Sequence, residues 1–174
     1  LAAAWDNKKE LKKLRQDLTK IKIFDPACGC GNFLVVAYRH LRQLELELIV
    51  RLNNLEGTEN VMQLDGSMGL SISLKQFYGI EIEEWPAQVA RMALFLTDHQ
   101  ENLRLARITG ATPNRFPIRD FAKIVNINAL HCDWTEIVDF DESILEVVKK
   151  ALQANTEDRF QSADDFLKAL NMDF

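Results

Sequence analysis

An α/β fold built on a parallel sheet is predicted by three observations. Residues 21–25, 77–82 and 123–128 are short apolar runs that suit strands, and long stretches of helical period separate them. The first run ends in Asp25 and turns on Gly29 and Gly31 into a helix. The second ends in Glu81, with a helix start directly behind it. Strand, helix, strand, helix, strand is the order of right-handed crossovers in a parallel sheet, a Rossmann-like layout.

Each element has a local reason. Leu11, Leu14 and Leu18 recur at helical spacing among charges, predicting a surface helix within residues 4–20 with one apolar stripe. Ile21, Ile23 and Phe24 suit a buried strand. From Asn32 to about Leu52 the residues Leu34, Ala37, Tyr38, Leu41, Leu44 and Leu48 keep a helical period. Residues 53–71 are rich in turn formers and read as a loop. Phe77 to Ile82 is the second strand. The helix after it opens on Glu83, Glu84 and Pro86, acids and a proline that favour a first turn. Its inner face is expected to carry Trp85, Val89, Met92, Ala93 and Leu96, up to about His99. Residues 109–117 form another loop, and Lys123 to Asn128 a third strand. Beyond it, Ile144, Leu145, Val148 and Leu152 stripe a helix, and Ser162 with Asp165 resembles a capping box for a last one.

The 174 residues fit one domain, or one and a fragment, with a real core, and 47% hydrophobic against 27% charged is the balance of a soluble globule. There is no apolar run long enough for a membrane span and no visible signal peptide, so a cytoplasmic protein is expected. The net charge of -5 argues against a chain-wide nucleic-acid footprint. Basic residues crowd positions 8–22 and acidic ones follow Asp133. Cys28, Cys30 and Cys132 make a poor zinc pattern and read as small residues of a reduced protein.

In a sheet of this kind a ligand lies across the carboxyl ends of adjacent strands. The glycine turn and the helix N-terminus offer close backbone approach and unpaired N–H groups. Glu81 is placed to accept from ribose hydroxyls, which points to a nucleoside; the plainer alternative is a surface carboxylate. Asn128 either meets an adenine edge, since an amide donates and accepts, or is a simple turn residue. Leu34 stands where a dinucleotide fingerprint needs its third glycine, and no P-loop Gly-Lys-Ser/Thr occurs.

Asp25-Pro26-Ala27-Cys28-Gly29-Cys30-Gly31-Asn32-Phe33-Leu34 closely resembles motif I of adenine-N6 DNA methyltransferases, Asp-Pro-Ala-Cys-Gly-Ser-Gly-Asn-Phe-Leu. Phe77 to Arg91 resembles the segment around motif II of the MmeI-like, type IIG restriction–modification group. Asn128-Ala129-Leu130 with Asp133-Trp134 is similar to that group's motif III region. The resemblance spans about residues 5–135. It implies a truncated S-adenosylmethionine-dependent methyltransferase fold, with DNA as partner in the intact relatives. It also implies that Asp25, Pro26, Ala27, Cys28, Gly29, Gly31, Asn32 and Phe33 form the cofactor loop. On the same footing Glu81 holds the ribose, Ile82 flanks the adenine, and Asn128 and Ala129 bound its amino group. Cys30 replaces a frequent serine of similar size.

The family's catalytic Asn/Asp-Pro-Pro-Tyr/Phe motif is expected after the third strand. The four prolines here are Pro26, Pro86, Pro113 and Pro117, no two adjacent, so the motif is not among these residues. No catalytic residue is therefore assigned, and cofactor binding without methyl transfer is expected; a non-catalytic interaction module is the alternative. Residues 151–163 resemble the last helices of a bacterial serine/threonine-kinase lobe, without that family's glycine loop, catalytic loop or metal-binding Asp. The expected organisation is an N-terminal helix (1–20), a partial methyltransferase region (21–135) and a helical tail of different origin (136–174), as in a gene remnant. Its first strand would then lie at a sheet edge, through which the chain self-associates unless the tail covers it.

Overall fold

The computed structural model describes residues 7–57, 70–110 and 121–140, together with 150, 157, 161–162 and 165. The chain divides into two units, residues 1–133 and 134–174. Among its described residues the first holds three α-helices and a three-stranded sheet: α1 (Lys8–Leu18), β1 (Ile23–Asp25), α2 (Asn32–Glu56), β2 (Phe77–Glu81), α3 (Glu84–Thr109) and β3 (Lys123–Asn126). The strands run parallel in the order β1-β2-β3. The expected α/β Rossmann-like layout is therefore what forms, with β1 and β3 shorter than their apolar runs.

Helix α1 starts where Asn7 Oδ1 accepts the N–H groups of Lys9 (3.0 Å) and Glu10 (3.5 Å), two donors that a helix start leaves without internal partners. Leu11 and Leu18 are buried, whereas Leu14 of the predicted stripe is exposed. Lys8 and Lys12 both reach Glu56 near the far end of α2, at 2.8 and 3.0 Å, and hold that carboxyl below its ordinary range. The turn into β1 is tied to the next strand by Gln76, whose Nε2 donates to the carbonyls of Leu18 and Ile21 at 2.8 and 3.0 Å.

Helix α2 extends four residues past the predicted Leu52 and stops at Gly57, whose φ of 67° is a left-handed cap. Leu34, Tyr38, Leu48 and Leu52 join Phe77, Ala87, Ala90, Leu94 and Ile124 in the core, and Ala37, Leu41 and Leu44 pack on it. Between α2 and α3 lies a buried polar network that the apolar pattern does not announce. The Tyr38 hydroxyl donates to Asp98 Oδ1, Asn102 Nδ2 donates to Asp98 Oδ2 (3.0 Å), and Arg42 Nη2 donates to Asn102 Oδ1 (2.9 Å). Arg42 also faces Glu45 at 3.8 Å and Asp98 at 3.9 Å. Glu45 Oε1 accepts the N–H of Ser71, so the chain entering β2 is fastened to the same network.

Helix α3 corrects one expectation. It runs to Thr109, a decade of residues beyond the predicted His99, and the face it turns inward is not the predicted one. Ala87, Ala90, Leu94, Thr97, Asp98, Glu101 and Leu105 are buried, while Trp85, Met92 and Leu96 are exposed. The physical reason is the close approach of α3 to the loop after β1. A Cβ on Gly31 would stand 2.9 Å from Ala90 Cβ and 3.1 Å from its Cα, a gap that only small side chains leave.

In the second unit Trp134–Glu136 forms a 3₁₀ turn, its first carbonyl accepting from Ile137 and Val138 N–H at 3.0 Å. Ser162 Oγ accepts the N–H of Asp165 at 3.1 Å, the bond expected of a capping box. Most of the helix predicted around Ile144 to Leu152, most of the last predicted helix and most of the loops predicted at 53–71 and 109–117 lie outside the described residues, although Lys150 is helical. Among the described residues no helix is long and apolar enough to cross a membrane.

Candidate functional site

The carboxyl ends of β1 and β2 converge on the loop from Asp25 to Gly31. Asp25 lies level with Gly79, so β2 continues two residues further, to Glu81. The loop folds back over that extension: Cys28 N–H donates to the Ile80 carbonyl at 2.9 Å, and Gly29 N–H donates to Glu81 Oε2 at 2.9 Å. Two residues more than fifty positions apart thus form one hydrogen-bonded unit. Asp25 Oδ1 accepts the Ala27 N–H at 3.0 Å, which sets the first bend after Pro26. Gly31 N–H donates to the Cys28 carbonyl at 2.7 Å and closes the second.

Gly29 and Gly31 have φ values of 54° and 81°, a left-handed backbone that other residues adopt at a cost. Gly29 has open space where its Cβ would be, so conformation alone requires glycine there. Gly31 is required twice, by conformation and by contact with Ala90. Helix α2 then starts at Asn32 with no side chain bonded to its first turn, so the N–H groups at Asn32 and Phe33 face the loop mouth with the positive end of the helix dipole. Phe33 and Ile82, 58% and 60% exposed, add apolar surface on the α2 and β2 sides of that mouth.

Glu81 is half-buried, and both of its oxygens are oriented by backbone: Oε2 by Gly29 and Oε1 by the Glu83 N–H at 3.0 Å. A carboxylate has about four acceptor positions, so two remain for a ligand. Cys28 is buried beneath the loop; burial, then the charges of Asp25 and Glu81, push its thiol up to about 11. It therefore stays protonated at neutral pH and acts as a small packing group rather than a nucleophile. Cys30 is exposed. Among the described residues no cluster of three or more His, Cys, Asp or Glu could hold a metal ion.

The third strand brings two asparagines to this edge of the sheet. Asn128 Oδ1 accepts the Leu130 N–H at 3.0 Å and caps the short 3₁₀ turn Ala129–His131, the turn role that competed with adenine contact. Its amide N–H groups and a second oxygen lone pair remain available. Asn126, which the sequence pattern does not single out, is the residue that joins β3 to the site. It stands opposite Glu81 in register and donates to the carbonyls of Glu81 (3.0 Å) and Ile82 (2.8 Å). Gly79 was also missed: a Cβ there would stand 2.9 Å from Cys28 Sγ and from Ile124 Cδ1. A glycine two residues before the strand-end acid is the signal that could have found Gly79; Asn126 shows only once the strand register is known.

The protein family described as MmeI, DNA-methyltransferase domain, matches residues 1–152. The chain belongs to that family. It is 38% identical over 135 residues to DNA methyltransferase A of Bacillus subtilis (strain 168), covering 77% of this chain and 15% of that protein. The structure of the Type IIL restriction–modification enzyme MmeI in complex with DNA superposes with a TM-score of 0.73 at 31% identity, over 97% of this chain and 24% of the other. The chain thus spans a quarter or less of these relatives. In this chain the segment from Asp25 to Phe33 makes the bend between β1 and α2, with Glu81 bonded to it and Asn128–Ala129 just past the end of β3.

Proposed function

We propose that this chain is the S-adenosylmethionine-binding part of a site-specific adenine-N6 DNA methyltransferase of a restriction–modification system. The observation that carries the proposal is the Gly29–Glu81 bond, which preforms a loop and an acceptor at the carboxyl edge of the sheet. Its chemistry suits the ligand. The open N–H groups of the α2 start suit the methionine carboxylate, and Asp25 suits the ammonium. Glu81 accepts from the ribose hydroxyls through the positions Gly29 and Glu83 leave open. Ile82 packs on the adenine, and Asn128 and Ala129 border its amino group. Bound there, S-adenosylmethionine supplies an activated methyl group.

These 174 residues contain no Asn/Asp-Pro-Pro-Tyr/Phe, the motif that would receive a flipped adenine. Binding without turnover is therefore the activity assigned to this chain. Calorimetry with S-adenosylmethionine should show saturable binding, alongside no methyl transfer to DNA under conditions where an intact relative methylates it. NAD should give no heat, since Leu34 fills the place of a third glycine. The missing motif also favours a second reading, a non-catalytic interaction module; no heat at millimolar S-adenosylmethionine would establish that reading over the first.

A further inference from the structure

The clamp that β3 places on the end of β2 reaches the carboxylate of Glu81 through a single peptide unit. Asn126 Nδ2 donates to the carbonyls of Glu81 at 3.0 Å and of Ile82 at 2.8 Å. Both partners only accept, so the amide turns its amino group toward them and spends both of its donors there. The Glu81 carbonyl has a further donor, the Ile127 N–H at 3.1 Å. The Ile82 carbonyl lies past the last paired residue of β2, and Asn126 is what fixes it.

That carbonyl shares its peptide plane with the Glu83 N–H. The peptide is trans, so the two groups point in opposite directions from one rigid unit. The Glu83 N–H donates to Glu81 Oε1 at 3.0 Å, while the Gly29 N–H holds Oε2 at 2.9 Å. Fixing the Ile82 oxygen therefore aims the donor that holds one side of the carboxylate. A glutamate with only the Gly29 contact would keep more of its rotamer freedom, and a ligand would have to remove it.

We infer that Asn126 is a positioning residue for the Glu81 carboxylate, acting through the Ile82–Glu83 peptide so that the two remaining acceptor positions are presented ready for the ribose hydroxyls. The role rests on the cofactor reading above, in which Glu81 accepts from those hydroxyls. Asn126 itself is exposed at the end of β3, and the Glu81 carbonyl keeps the Ile127 N–H without it. Its loss should therefore act on the carboxylate and leave the strand pairing in place.

The test is a double-mutant cycle on the whole chain, with Asn126→Leu, Glu81→Ala and the two together. Calorimetry gives the affinity for S-adenosylmethionine, amide resonances of Gly29 and Glu83 are followed without ligand, and unfolding curves check the fold. Asn126→Thr, a substitution that suits a strand, repeats the cycle where the leucine variant does not fold. The expected result is that Asn126→Leu moves both resonances and raises Kd about tenfold, the size of one hydrogen bond to a charged group. In the Glu81→Ala background the same substitution should raise Kd by less than about twofold, because the relay then ends on no carboxylate. An equal loss in both backgrounds would make Asn126 a structural tie only and overturn the inference. Unmoved resonances, or an unchanged Kd, overturn it as well while leaving the cofactor reading intact. A parent chain that binds no S-adenosylmethionine overturns that reading, and this role with it.

Discussion

Replacing Arg42 by alanine should destabilise the fold by about 3–5 kcal/mol, the cost of removing one partner from a buried ion pair. Arg42 is 4% exposed, Glu45 1% and Asp98 7%, so neither carboxylate can recover water when the guanidinium goes. Glu45 Oε2 already has no hydrogen-bond partner and depends on the Arg42 charge 3.8 Å away. Against a typical total stability of about 5–15 kcal/mol, the variant would be barely folded. Urea unfolding followed by circular dichroism gives the number. Because Arg42 lies on α2 far along the helix from the loop, its loss should act on stability first. A midpoint unchanged from the parent chain would show that the network contributes little.

The second large effect concerns Glu81. Its replacement by alanine removes the acceptor for Gly29 and Glu83 N–H and the proposed acceptor for both ribose hydroxyls. Hydrogen bonds to a charged group contribute about 1.5–3 kcal/mol each, so S-adenosylmethionine affinity should fall at least about 100-fold. Glu81→Gln keeps one oxygen acceptor and should lose about tenfold. Calorimetry on both variants, with an unfolding curve to confirm that each still folds, separates binding from stability. Equal affinity in all three proteins would remove Glu81 from the site.

Much of this was legible in the sequence because the signals are local and steric. Two glycines between a strand-end acid and a helical period leave few backbone solutions, and the loop takes one of them. Residues 77–81 carry apolar side chains ending in a carboxylate, and that carboxylate is where the strand stops. What escaped is what depends on distance between elements. Helix α3 presents two stripes of helical period, one through Ala87, Ala90 and Leu94 and one through Trp85, Met92 and Leu96. Hydrophobicity favours the larger side chains, but the approach of Gly31 to Ala90 selects the smaller ones. Periodicity is blind to that choice. Arg42 and Glu45 read as solvated charges on α2, and only the presence of Tyr38, Asp98 and Asn102 opposite makes their burial tolerable. Asn126 and Asn128 are one turn apart in function for a similar reason: register with Glu81, which sequence does not print, decides which of them fastens the strands.

The central claim is that the Asp25–Phe33 loop and Glu81 together hold S-adenosylmethionine. It is tested most directly by titrating that compound into the isotopically labelled chain and following backbone amide resonances. Saturable shifts are expected at Gly29, Gly31, Asn32, Phe33 and Glu81, with Asn128 and Ala129 following, and no comparable shifts in α1. Binding that leaves residues 25–33 and Glu81 unmoved, or no shifts at millimolar ligand, would contradict it.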